Sequence, residues 1–282
     1  MSYMEEQSEN IIKKVISQVA IENLDPADPL LRLTPGIVPE HIARYRLAEK
    51  YTAQVSKGDL VIDLASGRGY GANILNEMLP EAQILGVELR SGYVKKAVKK
   101  YVSDGSKKLS FLQGDVRNVP VASGKAKLVT AFEIVEHLEQ SDQLGLFEEI
   151  ARVLAPDGLA LISFPEPYSF IYNAKGEITR GRIANPYHRH EPCLEETLEA
   201  VSHAGLRVRE ELGQGIVPKG QAESVKNFCQ RTGFPLWTFY VWVLPRDLSV
   251  QKGSLTPGKV FLTHILVVEK KNQGTPNTEF NS

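Results

Sequence analysis

The stretch Val61-Ile62-Asp63-Leu64-Ala65-Ser66-Gly67-Arg68-Gly69-Tyr70-Gly71 decides the fold. Apolar and β-branched residues run into three closely spaced glycines, and a segment of helical character follows. Glycines at such a junction permit a tight turn and let a ligand approach the backbone. A purely structural strand-to-helix turn accounts for the same glycines, so the neighbouring residues must decide between the two. The spacing is G-x-G-x-G, not the G-x-G-x-x-G of a dinucleotide loop. Asp63 stands where the strand ends. A carboxylate there repels a pyrophosphate and attracts a cation, so the expected ligand carries an ammonium or sulfonium rather than a diphosphate.

Two more acids fall at the ends of the next two strands. Glu88 follows Gly67 by 21 positions and closes the second strand. An acid at that tip is placed to accept two hydrogen bonds from a ribose diol. Gln113-Gly114-Asp115-Val116 closes the third strand. Asp115 can accept a hydrogen bond from an exocyclic amino group such as that of adenine, or it can cap a helix. Three acids at consecutive strand ends share one edge of a parallel sheet, where open α/β folds bind their ligands.

Working outward, apolar segments alternate with segments of helical period from about residue 40 to 210. This is the pattern of a parallel sheet covered by helices. Seven strands are expected, at 59–64, 83–89, 109–114, 126–132, 158–164, 206–211 and 261–269, the last antiparallel at or near the sheet edge. In 91–102, Val94, Ala97, Val98 and Tyr101 form one helical stripe, and Lys95, Lys96, Lys99 and Lys100 form a solvated face. Phe147, Ile150, Ala151 and Leu154 mark a helix over 144–154, which Asp157-Gly158 stops. Another helix spans 194–204. Residues 1–39 form an N-terminal helix and loop. Residues 40–271 form the main domain, 215–257 an inserted lid with aromatics Phe234, Trp237, Phe239, Tyr240 and Trp242, and 272–282 a disordered tail.

Composition excludes several classes. The chain has 282 residues, 33 Lys+Arg, 34 Asp+Glu and a net charge of −1, so no global basic excess points to nucleic acid. No apolar run approaches the ~20 residues that span a bilayer. Residues 1–10 are polar and acidic, unlike a secretory signal. The two cysteines, Cys193 and Cys229, form no disulfide framework, which makes a cytoplasmic location the expectation.

The glycine loop, Glu88, Asp115, and Phe132-Glu133-Ile134-Val135-Glu136-His137-Leu138 together resemble the motifs of class I S-adenosylmethionine-dependent methyltransferases. Val153-Leu154-Ala155-Pro156-Asp157-Gly158 resembles that family's turn into the fifth strand. Thr34-Pro35-Gly36, Glu40-His41-Ile42-Ala43-Arg44-Tyr45 and Asn185-Pro186-Tyr187-His188 resemble a bacterial group linked to sugar or polysaccharide modification. This chain departs from that group at Arg68, where an acid is common, and at Pro192-Cys193, where Phe-Thr is usual. The resemblance implies a Rossmann-like seven-stranded sheet with helices on both faces, and S-adenosyl-L-methionine as cofactor. It implies that Asp63, Gly67 and Gly69 line the methionine and ribose, Glu88 holds the ribose hydroxyls, and Asp115 and Val116 bracket the adenine. Phe132 and Glu133 would then face the sulfonium. Arg44 would meet the cofactor carboxylate, or else serve as a surface arginine.

Methyl transfer to a hydroxyl needs a base. His137 follows a strand that points at the cofactor and has an unperturbed pKa of ~6.5. It is the candidate base, against a packing or capping role. His188 and His190, in His-Arg-His-Glu before the helix at 194, are the second candidates; His203 and His264 read as incidental. The expected acceptor is a small molecule or glycan, by O-methylation before N-methylation. No metal, nucleic acid or membrane span belongs to this reading. Three alternatives stand beside it. Glu133, Glu136, His137 and His190 make a metal set like that of metal-dependent small-RNA 2′-O-methyltransferases, although the rest of that pattern is absent. A non-catalytic cofactor-binding partner module would keep Glu88 and Asp115. A nucleotide-dependent dehydrogenase is disfavoured by the glycine spacing and Asp63.

Overall fold

The computed structural model describes residues 37–102, 108–166, 170–172, 178–180, 188–215, 217–218, 251–252, 259–261 and 263–271. The helix expected before residue 39, most of the 215–257 insert with its aromatics, Cys229 and the 272–282 tail lie outside them.

The chain enters by helix α1 (Ile37–Arg46) and a 3₁₀ segment, Leu47–Gln54. There follow β1 (Leu60–Leu64), α2 (Tyr70–Met78), β2 (Gln83–Glu88), α3 (Ser91–Tyr101), β3 (Leu109–Gln113) and β4 (Ala126–Phe132). Next come α4 (Gln140–Val153), β5 (Leu154–Pro165), α5 (Leu194–His203), β6 (Leu206–Gln214) and β7 (Thr263–Lys270). The sheet order is β6-β7-β5-β4-β1-β2-β3, with a two-residue strand, Gln251–Lys252, added outside β6. Strands β1 to β5 are mutually parallel, and β7 is antiparallel to both β5 and β6. The seven expected strands are therefore present.

Both faces of the sheet are covered. Successive residues of a strand point to opposite faces. Ile62 and Leu64 join a cluster with Leu146, Phe147 and Ile150 of α4 and Val201 of α5. Val61 joins the opposite cluster with Tyr45 of α1, Ala48, Tyr51, and Ala72 and Leu75 of α2. Each fully buried aliphatic side chain contributes about 1.5–3 kcal/mol of transfer free energy.

β7 lies one strand in from β6, antiparallel and near the sheet edge as expected, and Thr263 to Val268 are buried. Two local expectations change. Helix α4 ends at Val153, before Asp157-Gly158, and β5 begins at once. Pro156 cannot continue a helix and disfavours helical geometry at Ala155. On α3 only Ala97 is fully buried, while Val98 is 39% exposed, because α3 covers β3, the last strand of the sheet. Lys95, Lys96, Lys99 and Lys100 are exposed as expected. Among the described residues no helix is long and apolar enough to cross a membrane.

Candidate active site

The carboxyl ends of β1, β2, β3 and β4 open into one cleft of about 450 Å³. Its lining includes Gly67, Glu88, Asp115, Val116, Phe132, Glu133 and His137 from the residues singled out by sequence. Arg44, Asp63, Gly69, His188 and His190 are not in that lining.

The glycine loop folds onto β2. The Gly67 N–H donates to Glu88 Oε2 at 3.0 Å, and the Arg90 N–H donates to Glu88 Oε1 at 2.8 Å. Gly67 has φ +55°, and a Cβ there would meet only open space. Gly69 differs. Its φ is +84°, and a Cβ would come within 2.6 Å of the Phe111 ring and 2.8 Å of Ala97. Its smallness lets α2 pack against β3 and α3 and does not serve a ligand directly. Ala65 and Glu133 have φ +54° and +52° and line the cleft where β1 and β4 end. Left-handed backbone at a non-glycine residue costs about 1–3 kcal/mol, and such strain gathers at functional sites.

Asp63 does not face the cleft. It is fully buried, and its Oδ1 accepts from Tyr45 Oη at 3.0 Å and Thr130 Oγ1 at 2.7 Å. Burial pushes its carboxyl up to about 7. Tyr45 itself lines the cleft, edge-on to Tyr70 at 5.6 Å and to Phe132 at 5.0 Å. Tyr45 and Tyr70 thus extend the expected Phe132 into an aromatic wall. His41 Nδ1 lies 2.9 Å from Tyr70 Oη, and burial, with Arg44 nearby, pushes the His41 pKa well down.

Arg44 is 2% exposed and pairs with Glu133 Oε1 at 2.8 Å, so it is neither a surface arginine nor a cleft residue. Ser163 Oγ donates to the same Glu133 oxygen at 2.8 Å and accepts the Glu133 N–H at 3.1 Å. Glu133 is thus fixed between β5 and α1.

Asp115 caps no helix. Its Oδ1 accepts from the Arg117 N–H at 2.9 Å and Nε at 3.0 Å, and its Oδ2 accepts from Arg117 Nη2 at 2.7 Å. These bonds hold the Asp115 carboxyl below the usual range. The other arm of Arg117 reaches Asp142 of α4 at 2.7 Å. Arg117, two residues past Asp115, is a cleft residue that the sequence reading missed; Arg90, Tyr93 and Arg189 are others.

The histidines separate. His137 closes the 3₁₀ turn Val135–His137 after β4 and lines the cleft. The His188 ring packs edge-on against it at 5.1 Å, and its Nδ1 lies 2.7 Å from Glu191 Oε1. Residues 188–191 are held in place by Arg189 N–H to Glu136 O at 2.8 Å and by Gln143 Nε2 to His190 O at 2.8 Å. His190 is buried away from the cleft, 3.4 Å from Glu196. Possible metal-ligand atoms of Glu136, His137 and His188 lie within 4.8 Å of one another. That differs from the four-residue set suggested by sequence, because Glu133 is engaged by Arg44 and Ser163, and His190 faces Glu196. His264 is not in the cleft lining; it is 7% exposed, stacks on Phe164, and places Nε2 2.6 Å from Glu166 Oε2.

Residues 61–158 match the family model described as "Methyltransferase domain". The chain is 26% identical over 184 residues to the "probable S-adenosylmethionine-dependent methyltransferase" of Mycolicibacterium smegmatis, covering 64% of this chain and 66% of that relative. It is 33% identical over 109 residues to the demethylmenaquinone methyltransferase of Thermus thermophilus, covering 38% and 48%. It is 29% identical over 109 residues to the malonyl-[acyl-carrier protein] O-methyltransferase of Laribacter hongkongensis, covering 36% of each. The matches thus span between about a third and two thirds of these relatives. Among solved structures, the YcgJ protein of Bacillus subtilis superimposes with a TM-score of 0.54 at 17% identity, over 81% of this chain and 98% of that one. At that identity the likeness concerns the fold alone.

Proposed function

Since the chain carries a class I S-adenosylmethionine-dependent methyltransferase domain, we propose that it transfers a methyl group to a hydroxyl, less readily an amine, of a small molecule or glycan. The observation that carries this is the shared cleft. Gly67 and Glu88 meet at one end of it, and His137 lines the same cleft where β4 ends. S-adenosyl-L-methionine, when bound, supplies a methyl on a sulfonium that is a good leaving group.

The residues of the chain then have separable tasks. Glu88 accepts from the ribose hydroxyls, and Gly67 leaves room for them. Asp115 and Val116 bracket the adenine. Phe132 and Glu133 face the sulfonium, with Tyr45 completing the aromatic wall. Asp63 acts through Tyr45, Arg44 through Glu133, and Gly69 through the packing of the loop. The protein mainly positions the acceptor and excludes water. The proton of the acceptor falls to His137. His188, oriented by Glu191, supports the His137 ring, and His190 anchors the segment.

Two of the relatives are named for chemically different acceptors, malonyl-[acyl-carrier protein] and demethylmenaquinone. The acceptor is therefore best found by a screen with radiolabelled methyl donor against hydroxyl-bearing small molecules and glycans. Label transfer that needs Glu88 and His137 supports the proposal. Transfer only to amines or to RNA would overturn the acceptor class.

A further inference from the structure

Glu136 is not used by the reading above. Its side chain is 1% exposed, and its Oε2 has no hydrogen-bond partner. The charges nearest to it include two further carboxylates, Glu133 and Glu191, opposed by Arg44. A buried carboxylate oxygen left unpaired among other carboxylates is costly unless a cation or a proton joins it.

Two imidazoles stand beside this carboxylate. The ligand atoms of Glu136, His137 and His188 lie within 4.8 Å of one another. Small side-chain rotations bring such atoms to the ~3.3 Å spacing that tetrahedral bonds of ~2.0–2.2 Å impose. His188 is already oriented. Its Nδ1 faces Glu191 Oε1 at 2.7 Å, and Glu191 is 3% exposed. A carboxylate on one ring nitrogen fixes the tautomer and directs the other nitrogen outward, as metal-bound histidines require.

We propose that Glu136, His137 and His188 bind one divalent transition-metal ion of the zinc class, with Glu191 orienting His188 and the open coordination position facing the cleft. Two imidazoles and one carboxylate suit such an ion better than magnesium or calcium, which prefer oxygen ligands. The inference rests on the methyl-transfer reading for its purpose. An acceptor hydroxyl bound at the open position is acidified there and loses its proton to solvent water. In the loaded protein His137 then acts through the ion, as a ligand, and does not take the proton itself.

The test uses the whole chain, stripped with chelator and titrated calorimetrically with zinc, manganese and magnesium chlorides. The expected result is one Zn²⁺ per chain, confirmed by elemental analysis. Glu136→Gln and His188→Ala should weaken Zn²⁺ binding at least tenfold, and Glu191→Gln roughly 10–100-fold, as outer partners of metal ligands do. Absence of stoichiometric Zn²⁺ in the unmutated protein overturns the site. So does an unchanged Zn²⁺ affinity in folded Glu136→Gln and His188→Ala, or equal binding of Mg²⁺. Titration of the same samples with S-adenosylmethionine separates the two readings. Cofactor binding without Zn²⁺ removes the metal site alone, and Zn²⁺ without cofactor binding removes the methyl-transfer reading alone.

Discussion

The carboxylate of Glu88 accepts the backbone N–H of Gly67 at 3.0 Å, which ties the glycine loop to the tip of the second strand. The residue expected to hold the ribose also shapes the loop beside it. Replacing Glu88 with Ala should weaken S-adenosylmethionine binding by about 1–3 kcal/mol, the effect of leaving polar partners unsatisfied. Calorimetry showing an unchanged affinity would remove Glu88 from the site.

Gly69 and Gly67 should respond differently to alanine. At Gly69 a Cβ lies 2.6 Å from the Phe111 ring, whereas at Gly67 it meets nothing within 4 Å. Both positions have positive φ, which costs an alanine about 1–2 kcal/mol. The overpacking at Gly69 should add about 1–3 kcal/mol. Urea denaturation should therefore rank Gly69→Ala as the more destabilised; the reverse order would contradict this packing.

The buried Asp63 predicts a pH dependence. Burial raises its carboxyl from 3.8 to about 7 in the folded protein. Between those values the folded state holds a proton that the unfolded state has lost, so stability falls as pH rises from ~4 to ~7. Above about 7 the contribution is flat. Asp63→Asn keeps the acceptor for Tyr45 and Thr130 but cannot titrate. The difference in stability between the wild type and this variant should shift in favour of the variant across that range. A pH-independent difference would mean that Asp63 keeps an ordinary pKa.

His137→Ala should lower turnover far more than cofactor affinity, because the residue acts on the acceptor's proton, directly as a base or through a bound ion, and not on the cofactor. Stopped-assay rates and calorimetry on one preparation give both quantities. Equal losses in both would make His137 a structural residue.

These outcomes depend on features that were unequally legible in the sequence. The strands and the edge that carries Glu88 and Asp115 follow from apolar runs and from acids at their tips. Asp63 also sits at a strand tip, but it shares parity with Val61, and that face packs under Tyr45 and Ala72. Parity along the strand was the available signal. Which strands flank β7 was not legible, since antiparallel pairing with β5 and β6 joins residues far apart in the chain. Nor was the preference for His188 over His190 beside His137, which depends on Glu136 and Gln143 docking the 188–191 segment. The role of Arg117 was not legible either, because only the folded chain clamps it between Asp115 and Asp142.

The account stands on the cleft being a seat for the adenosyl cofactor. A crystal structure of the protein soaked in S-adenosylmethionine reads that directly. Density with the ribose hydroxyls on Glu88 and the base between Asp115 and Val116 is the predicted result. A cleft without the ligand, or the ligand bound elsewhere on the molecule, would contradict it.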